Sequence, residues 1–249
     1  MVVQAEEGRL ITSAARAFRV LVATAVPAER DAVARAFTTH TTADSTAGVS
    51  VDVIAAGVGP ALAAASTATA LTTAALEGAP YTLVVSAGIA GGFQPEAPAG
   101  SLVVADEITA ADLGAETADG FVPVTDLGFG TVTHRPPESL VRDLTAATGA
   151  RTGAVLTVST VTGTAARAAE LRARHPRALA EAMEGFGVAE AAASHGVPVL
   201  EVRAVSNPVG PRDRAAWRIG DALAALTEGF GKFAPVLESW NPYDDPHDR

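Results

Sequence analysis

Three polar residues interrupt apolar surroundings in ways that suggest chemistry: Glu29, Glu184 and Asn207. Glu184 stands in Glu181-Ala182-Met183-Glu184-Gly185-Phe186, at the head of an Ala-rich run. A carboxylate there either complements a helix dipole or points into a cleft, where its ionised form accepts hydrogen bonds from a vicinal diol such as that of ribose. Asn207 directly follows the apolar run Val197–Ser206 and precedes Pro208. Asn before Pro is ordinary turn chemistry, but an amide at that place also offers N–H donors to a ligand. Glu29 sits on the first turn of the helix expected after the first strand, where a dipole role is again the plain alternative.

Other chemistries are excluded by residue type. The chain has no cysteine, hence no disulfide frame, thiolate metal site or cysteine nucleophile. It has no P-loop lysine and no HExxH, and its five histidines (His40, His134, His175, His195 and His247) are scattered and read as surface residues. No metal and no organic cofactor is expected. Gly57-Val58-Gly59 and Gly88-Ile89-Ala90-Gly91-Gly92 read as turns after strands, either tight strand-to-helix corners or places where backbone approaches a ligand. Neither fits a dinucleotide fingerprint. With 18 basic against 28 acidic residues the net charge is -10, which argues against nucleic-acid or anionic-membrane partners. No apolar run is long enough to span a bilayer, and the N-terminus lacks the pattern of a secretion signal, so cytoplasmic residence is the default.

The elements that must hold these residues follow from the pattern of apolar runs. In 249 residues, 48% hydrophobic with mean hydropathy +0.25, a single domain with a large core is expected over 18–238, after a disordered or extended leader (1–17) and before a polar tail (239–249). Strands are predicted at 18–24, 49–56, 82–86, 101–108, 153–160 and 197–206. Helices are predicted at 28–37, 61–77, 138–147, 165–174, 184–195 and 221–237. Residues 109–137, rich in Gly, Pro, Asp and Thr, read as loops and short strands. Alternating strand and helix predicts an α/β fold, three layers with a central, mostly parallel mixed sheet flanked by helices. Ligands in such folds sit at the carboxyl ends of strands, which points to the loops near Glu29, Gly57, Ser86, Thr160 and Asn207.

Four signatures, in order, resemble the purine nucleoside phosphorylase superfamily, in particular its methylthioadenosine/S-adenosylhomocysteine nucleosidase branch. They are Ala25-Val26-Pro27-Ala28-Glu29, Ala56-Gly57-Val58-Gly59, Val85-Ser86-Ala87-Gly88-Ile89-Ala90-Gly91-Gly92, and Ala182-Met183-Glu184-Gly185 followed by Val202-Arg203-Ala204-Val205-Ser206-Asn207. The resemblance covers roughly residues 18–235. It departs from adenine-specific nucleosidases at Asn207, where they carry an Asp that protonates adenine N7. An amide supplies no proton but donates N–H to N7 and to a 6-oxo group, which favours a 6-oxopurine. Val209-Gly210-Pro211-Arg212-Asp213-Arg214 with Trp217 is also similar to the futalosine hydrolases, which remove hypoxanthine from futalosine in menaquinone biosynthesis. Phosphorylases of the superfamily usually place an Arg before the Gly-rich segment; Val84-Val85-Ser86-Ala87 has none, so water rather than phosphate is the expected nucleophile.

The resemblance implies catalytic roles for Glu29 (base towards water), Glu184 (ribose hydroxyls and developing positive charge) and Asn207 (leaving purine). It implies substrate contacts for Val58, Ser86, Ala87, Gly88, Thr160, Thr162, Met183 and Ser206. Arg135, Phe129 and Phe121 are candidates for the 5′ group. The family is usually oligomeric, often a dimer, so a homo-oligomer acting on a small purine nucleoside is expected. Other purine nucleosidases (methylthioadenosine/S-adenosylhomocysteine or inosine), a purine nucleoside phosphorylase and a non-catalytic nucleoside-binding module are the alternatives.

Overall fold

The computed structural model describes residues 18–38 and 49–240. The leader over 1–17, residues 241–249 of the tail, His40 and His247 lie outside the described residues. In chain order the elements are β1 (Phe18–Thr24), α1 (Pro27–Thr38), β2 (Val49–Ala55), α2 (Pro60–Leu76), β3 (Leu83–Gly92), β4 (Leu102–Ala110), β5 (Gly114–Thr117), β6 (Gly120–Pro123), β7 (Thr133–His134), α3 (Glu138–Thr148), β8 (Arg151–Thr157), α4 (Ala165–Arg174), β9 (Ala178–Ala182), α5 (Gly185–Ser194), β10 (Val199–Pro208) and α6 (Ile219–Ser239).

β1 shows why the sheet is buried on both faces. Its residues alternate between two cores, with Val20 and Val22 in one and Leu21 and Ala23 in the other. α1, α3 and α6 cover the first core, and α2 and α5 cover the second. A strand with helices on either side needs apolar residues at every position, hence the unbroken Val-Leu-Val run.

The α/β, mixed-sheet reading therefore stands, but the sheet is not a simple central layer. β3 bonds in parallel to β1 and to β10, and beyond the end of β1 it takes up β9 antiparallel. β10 continues to β4 antiparallel, and β4 to β8 and β8 to β9 are parallel. Five strands thus close a ring, β3-β10-β4-β8-β9, from which β1 and β2 extend. α5 packs against β3, β4, β8 and β10 of that ring.

Three local expectations change. Gly88–Gly92 is not a turn: β3 runs straight through it. The missing side chains are needed there, because a Cβ on Gly92 would lie 2.0 Å from the Ala97 carbonyl oxygen. Asn207 does not follow its strand in an Asn-Pro turn. It lies within β10, paired with Gly91 just after a register shift that leaves Ser206 unpaired, so the amide is fixed by sheet geometry. β9 was not foreseen, since Ala-Leu-Ala-Glu-Ala has weak strand propensity; its flanking partners β8 and β3 impose the conformation.

Helices α2 and α5 cross at Gly187, whose absent Cβ would stand 2.1 Å from the Pro60 carbonyl oxygen. This contact seats the N-terminus of α2 beside the residues preceding α5. A Gly187→Ala substitution is expected to push the two helices apart and cost about 1–3 kcal/mol, as overpacking does. Thermal unfolding would read this as a lowered Tm.

Candidate active site

The centre of the site is a buried arginine. Arg203, on β10, is 1% exposed and its guanidinium is shared among three partners. Nε donates to Glu201 Oε1 at 2.8 Å, Nη1 to Glu184 Oε2 at 3.3 Å and Nη2 to Ser86 Oγ at 3.0 Å. Burial alone would lower the Arg203 pKa, but the carboxylates of Glu201, Glu184 and Glu29 around it prevail and raise it. Glu201 is fully buried, and burial pushes its carboxyl up against the opposing pull of Arg203. Space for Glu201 exists only because residue 185 is glycine: a Cβ there would fall 2.2 Å from both carboxylate oxygens.

Glu184 is held by backbone as well as by Arg203. Its Oε1 accepts from Gly59 N–H at 3.2 Å, and its Oε2 accepts from Met183 N–H at 3.3 Å. Gly59 has φ +88°, a left-handed conformation that glycine adopts without strain. The Gly57-Val58-Gly59 corner therefore delivers a donor to this carboxylate. Glu184 immediately precedes α5 but makes no side-chain cap to it, so the dipole reading does not account for its contacts. All three of its hydrogen bonds are long, which leaves the carboxylate free to exchange one for a ligand hydroxyl.

Glu29 divides its two oxygens. Oε2 accepts from the N–H groups of Ala25 and Val26, at 3.0 and 3.2 Å, which stabilises the turn into α1. Oε1 accepts from Ile89 N–H at 2.8 Å. A Cβ built on Gly88 would lie 2.7 Å from Glu29 Oε1 and 2.8 Å from Arg203 Nη1. Carboxylate and guanidinium thus both press on the Cα of Gly88, an approach that only a residue without a side chain allows.

Asn207 is half-buried at the end of the same strand that carries Arg203. Ser206 Oγ donates to Asn207 Oδ1 at 2.8 Å, and Asn207 Nδ2 donates to the Pro208 carbonyl at 2.9 Å. The hydroxyl fixes the amide orientation, and Nδ2 retains a second N–H for a ligand.

The sequence-predicted residues thus fall into two neighbouring groups. Glu29, Ser86, Gly88 and Glu184 meet around Arg203, with Met183 and the exposed Val58 flanking Glu184 and its donor Gly59. Asn207 and Ser206 lie along β10 beside Ala90 and Gly91. The Ala87 methyl belongs to the core under α1 and α6, so this residue offers the site only its backbone. Thr162 is buried against Glu181, whereas Thr160 is exposed. The 5′-group candidates are engaged elsewhere. Arg135 pairs with Glu107 at 3.1 Å and, with Asp106 and Arg177, lines a separate cavity of about 800 Å³. Phe121 lies under the Arg174 guanidinium at 4.4 Å, and Phe129 is exposed. Among the histidines, His134 and His175 depart from the surface reading: both are half-buried, His134 bonding Glu190 at 2.8 Å, and burial lowers the pKa of His175.

Arg203 and Glu201 were not assigned roles from sequence. The signal was present: two opposite charges two residues apart in Val199-Leu200-Glu201-Val202-Arg203-Ala204-Val205 must share one face of a buried strand, and buried charges require partners.

Comparison with known proteins matches residues 12–237 to the phosphorylase superfamily. The chain is 75% identical over 232 residues to the futalosine hydrolase of Streptomyces coelicolor, covering 90% of this chain and 99% of that protein. Among solved structures, a futalosine hydrolase mutant from Helicobacter pylori superposes with a TM-score of 0.70 at 15% identity, covering 88% of this chain and 99% of that one. The Neisseria meningitidis 5′-methylthioadenosine/S-adenosylhomocysteine nucleosidase in complex with methylthio-immucillin-A gives a TM-score of 0.70 at 18% identity, covering 86% and 97%.

Replacing Arg203 by Met would remove the cation and leave the buried Glu184 and Glu201 uncompensated. Breaking a buried pair from one side typically costs about 3–5 kcal/mol. The expected result is a lower urea midpoint with an unchanged slope. A variant as stable as the parent would show that the guanidinium does not hold this cluster together.

Proposed function

The chain belongs to the phosphorylase superfamily and, within it, to the futalosine hydrolases, and we propose on that premise how its residues divide the hydrolysis of the futalosine N-ribosidic bond, which releases hypoxanthine. Such a cleavage passes through a sugar resembling an oxocarbenium ion. It needs a positioned water on one face of the sugar, negative charge near the ring, and a donor to the departing base.

The observation that carries the reading is the convergence of Glu29 Oε1 and Arg203 Nη1 over Gly88. A water molecule bridging these two groups accepts a hydrogen bond from Arg203, donates one to Glu29, and keeps a lone pair for the anomeric carbon. Glu29 takes its proton as the C–O bond forms. Glu184, on the same guanidinium, receives the ribose 2′ and 3′ hydroxyls and stabilises the positive charge developing on the sugar. Met183, next to it, packs against the ribose. Asn207 donates N–H to purine N7 or O6 as the base leaves with the electron pair of the broken bond, and Ser206 keeps the amide turned for this.

Charge favours water over phosphate. Glu29, Glu184 and Glu201 set three carboxylates around the one guanidinium of Arg203. The guanidinium is already shared among Glu201, Glu184 and Ser86. A phosphate dianion would enter a field dominated by like charge. The direct test is to incubate the protein with futalosine, with and without phosphate, and follow free hypoxanthine. Release independent of phosphate is expected; a many-fold acceleration by phosphate would sink the hydrolytic reading.

Two sets of variants test the roles. Glu29→Gln and Glu184→Gln are each expected to lose about 10²- to 10⁴-fold in kcat, the usual worth of general-base and electrostatic assistance, while staying folded by circular dichroism. Near-normal kcat with lowered stability would return both residues to purely structural roles. Gly88→Ala would push the Glu29 carboxylate and the Arg203 guanidinium out of the positions from which they hold the water. Turnover should fall at least about 10²-fold, the scale set by misplacing a reacting group, and Tm should fall as well, as overpacking requires.

A further inference from the structure

The strap between β10 and α6 has no part in the chemistry above. It runs from Val209 to Trp217 and is tied at both ends to the strands that carry the site. Val209 N–H donates to the Gly92 carbonyl at 2.9 Å, and Arg218 N–H to the Ser206 carbonyl at 2.8 Å. Its middle packs on the loop before α4, since a Cβ on Gly163 would lie 3.7 Å from Arg212 Cδ. A single 3₁₀ turn, Arg214–Ala216, folds the chain back, and Asp213 caps it, Oδ1 accepting from Ala215 N–H at 3.1 Å. The half-buried Trp217 ring then gathers two guanidiniums, that of Arg212 at 5.4 Å and that of Arg214 at 5.9 Å from its centroid. Both arginines are exposed, and among the described residues neither pairs with a carboxylate, whereas Arg218 beside them is paired with Asp221. Two cations gathered on one ring repel each other, and an anion between them relieves that repulsion.

The strap stands over the mouth of the site. β1, β3 and β10 are parallel, so α1 and α6, which follow β1 and β10, both run back along the sheet, packed side by side. Thr227 Oγ1 of α6 donates to the Ala32 carbonyl of α1 at 2.8 Å, which puts these two residues level. From that level Glu29 lies about 4.5 Å, and Ile219 about 12 Å, toward the carboxyl end of the sheet, counting the rise per helical residue. The start of α6, with the strap before it, therefore rises past Glu29, while the other end of the strap leaves from beside Asn207. In a β-ribonucleoside the base and C5′ share the face of the sugar opposite the 2′ and 3′ hydroxyls. With those hydroxyls on Glu184 and water between Glu29 and Arg203, C5′ points away from all three groups and out of the mouth that the strap overhangs.

We propose that Arg212 and Arg214, held by Trp217, bind the carboxylate at the end of the substrate's 5′ arm; this rests on the reading of the substrate as futalosine, whose C5′ carries a carboxyphenyl ketone. A guanidinium offers paired N–H donors that match the two oxygens of a carboxylate. Contact with the indole restrains two long side chains before the ligand arrives, so less freedom is lost on binding. The exposed Ile219, next along the chain from Arg218, gives the aryl ring apolar surface at the same mouth. Arg135, a candidate for this role from its sequence position, is already taken by Glu107 in a separate cavity. The carboxylate lies far from the bond that breaks, so its contacts are the same in the bound substrate and in the transition state. They act on KM and leave kcat to the groups around Arg203.

The test compares futalosine with its methyl ester, which keeps the arm and removes the charge, on the wild type and on the double variant Arg212→Gln/Arg214→Gln. The wild type should prefer the acid by about tenfold or more in kcat/KM, the scale of one charge-assisted hydrogen bond, with the difference in KM. In the double variant that preference should shrink to about twofold or less, because futalosine loses what the ester never had. A wild type that handles acid and ester equally would overturn the proposal, as would a variant that keeps the preference or loses equally on both substrates. If the double variant fails to fold, ionic strength decides on the wild type: an exposed ion pair is screened by salt, so the preference for the acid should fall several-fold from low to high salt. A preference that salt does not move would overturn the proposal. Failure of the wild type to release hypoxanthine from futalosine at all would instead defeat the underlying functional reading, an outcome distinct from equal turnover of acid and ester.

Discussion

The guanidinium of Arg203 is the point on which the site depends. It is buried in the middle of a sheet, where an isolated charge would be prohibitively costly, and it is tolerable there only because Glu201, Glu184 and Ser86 each take part of it. The dependence runs both ways. Glu184 would be a buried carboxylate without a cation if Arg203 were absent, and with it the residue is paired within reach of a ligand. Glu201 has no contact with the proposed substrate space. It acts by fixing Nε, and so the plane of the guanidinium, leaving Nη1 between Glu184 and Gly88.

Strand topology turns this local cluster into a site. β3 is the hub, bonded to β1 and β10 along its length and to β9 at its end. It brings together residues far apart in the chain: Glu29 from the helix after β1, Ser86 and Gly88 from β3 itself, Glu184 after β9, and Arg203 and Asn207 from β10. The closure of five strands into a ring is what places β9 beside β3. Without the pairing of β9 with β3, Glu184 would have no reason to lie beside Ser86 and Gly88. Glycine recurs in this region because backbone and charged side chains must share the same few ångströms.

Much of this was legible in the sequence, and the illegible remainder has physical causes. The long apolar strands and Ala-rich helices were readable because burial on both faces demands them. Glu29, Glu184 and Asn207 were readable because polar residues in apolar surroundings need a reason. β9 was hidden because its strand conformation comes from partners distant in sequence, and Gly88–Gly92 was misread because the same glycines that suit a turn also suit a strand crowded by side chains. Asn207 was placed one step beyond its strand because local Asn-Pro chemistry cannot reveal that Gly91 pairs with it. Arg203 and Glu201 were visible only as an alternation whose meaning depends on how deeply the strand is buried.

The glycine at position 185 constrains how such a site can change over evolutionary time. Any larger residue there collides with the Glu201 carboxylate, so residue 201 would have to shorten first. Shortening 201 strands Arg203, and losing Arg203 strands Glu184. No order of single replacements among the four passes through a comfortable intermediate. These positions are therefore expected to drift as a linked block, and a homologue lacking one of them should differ at the others too.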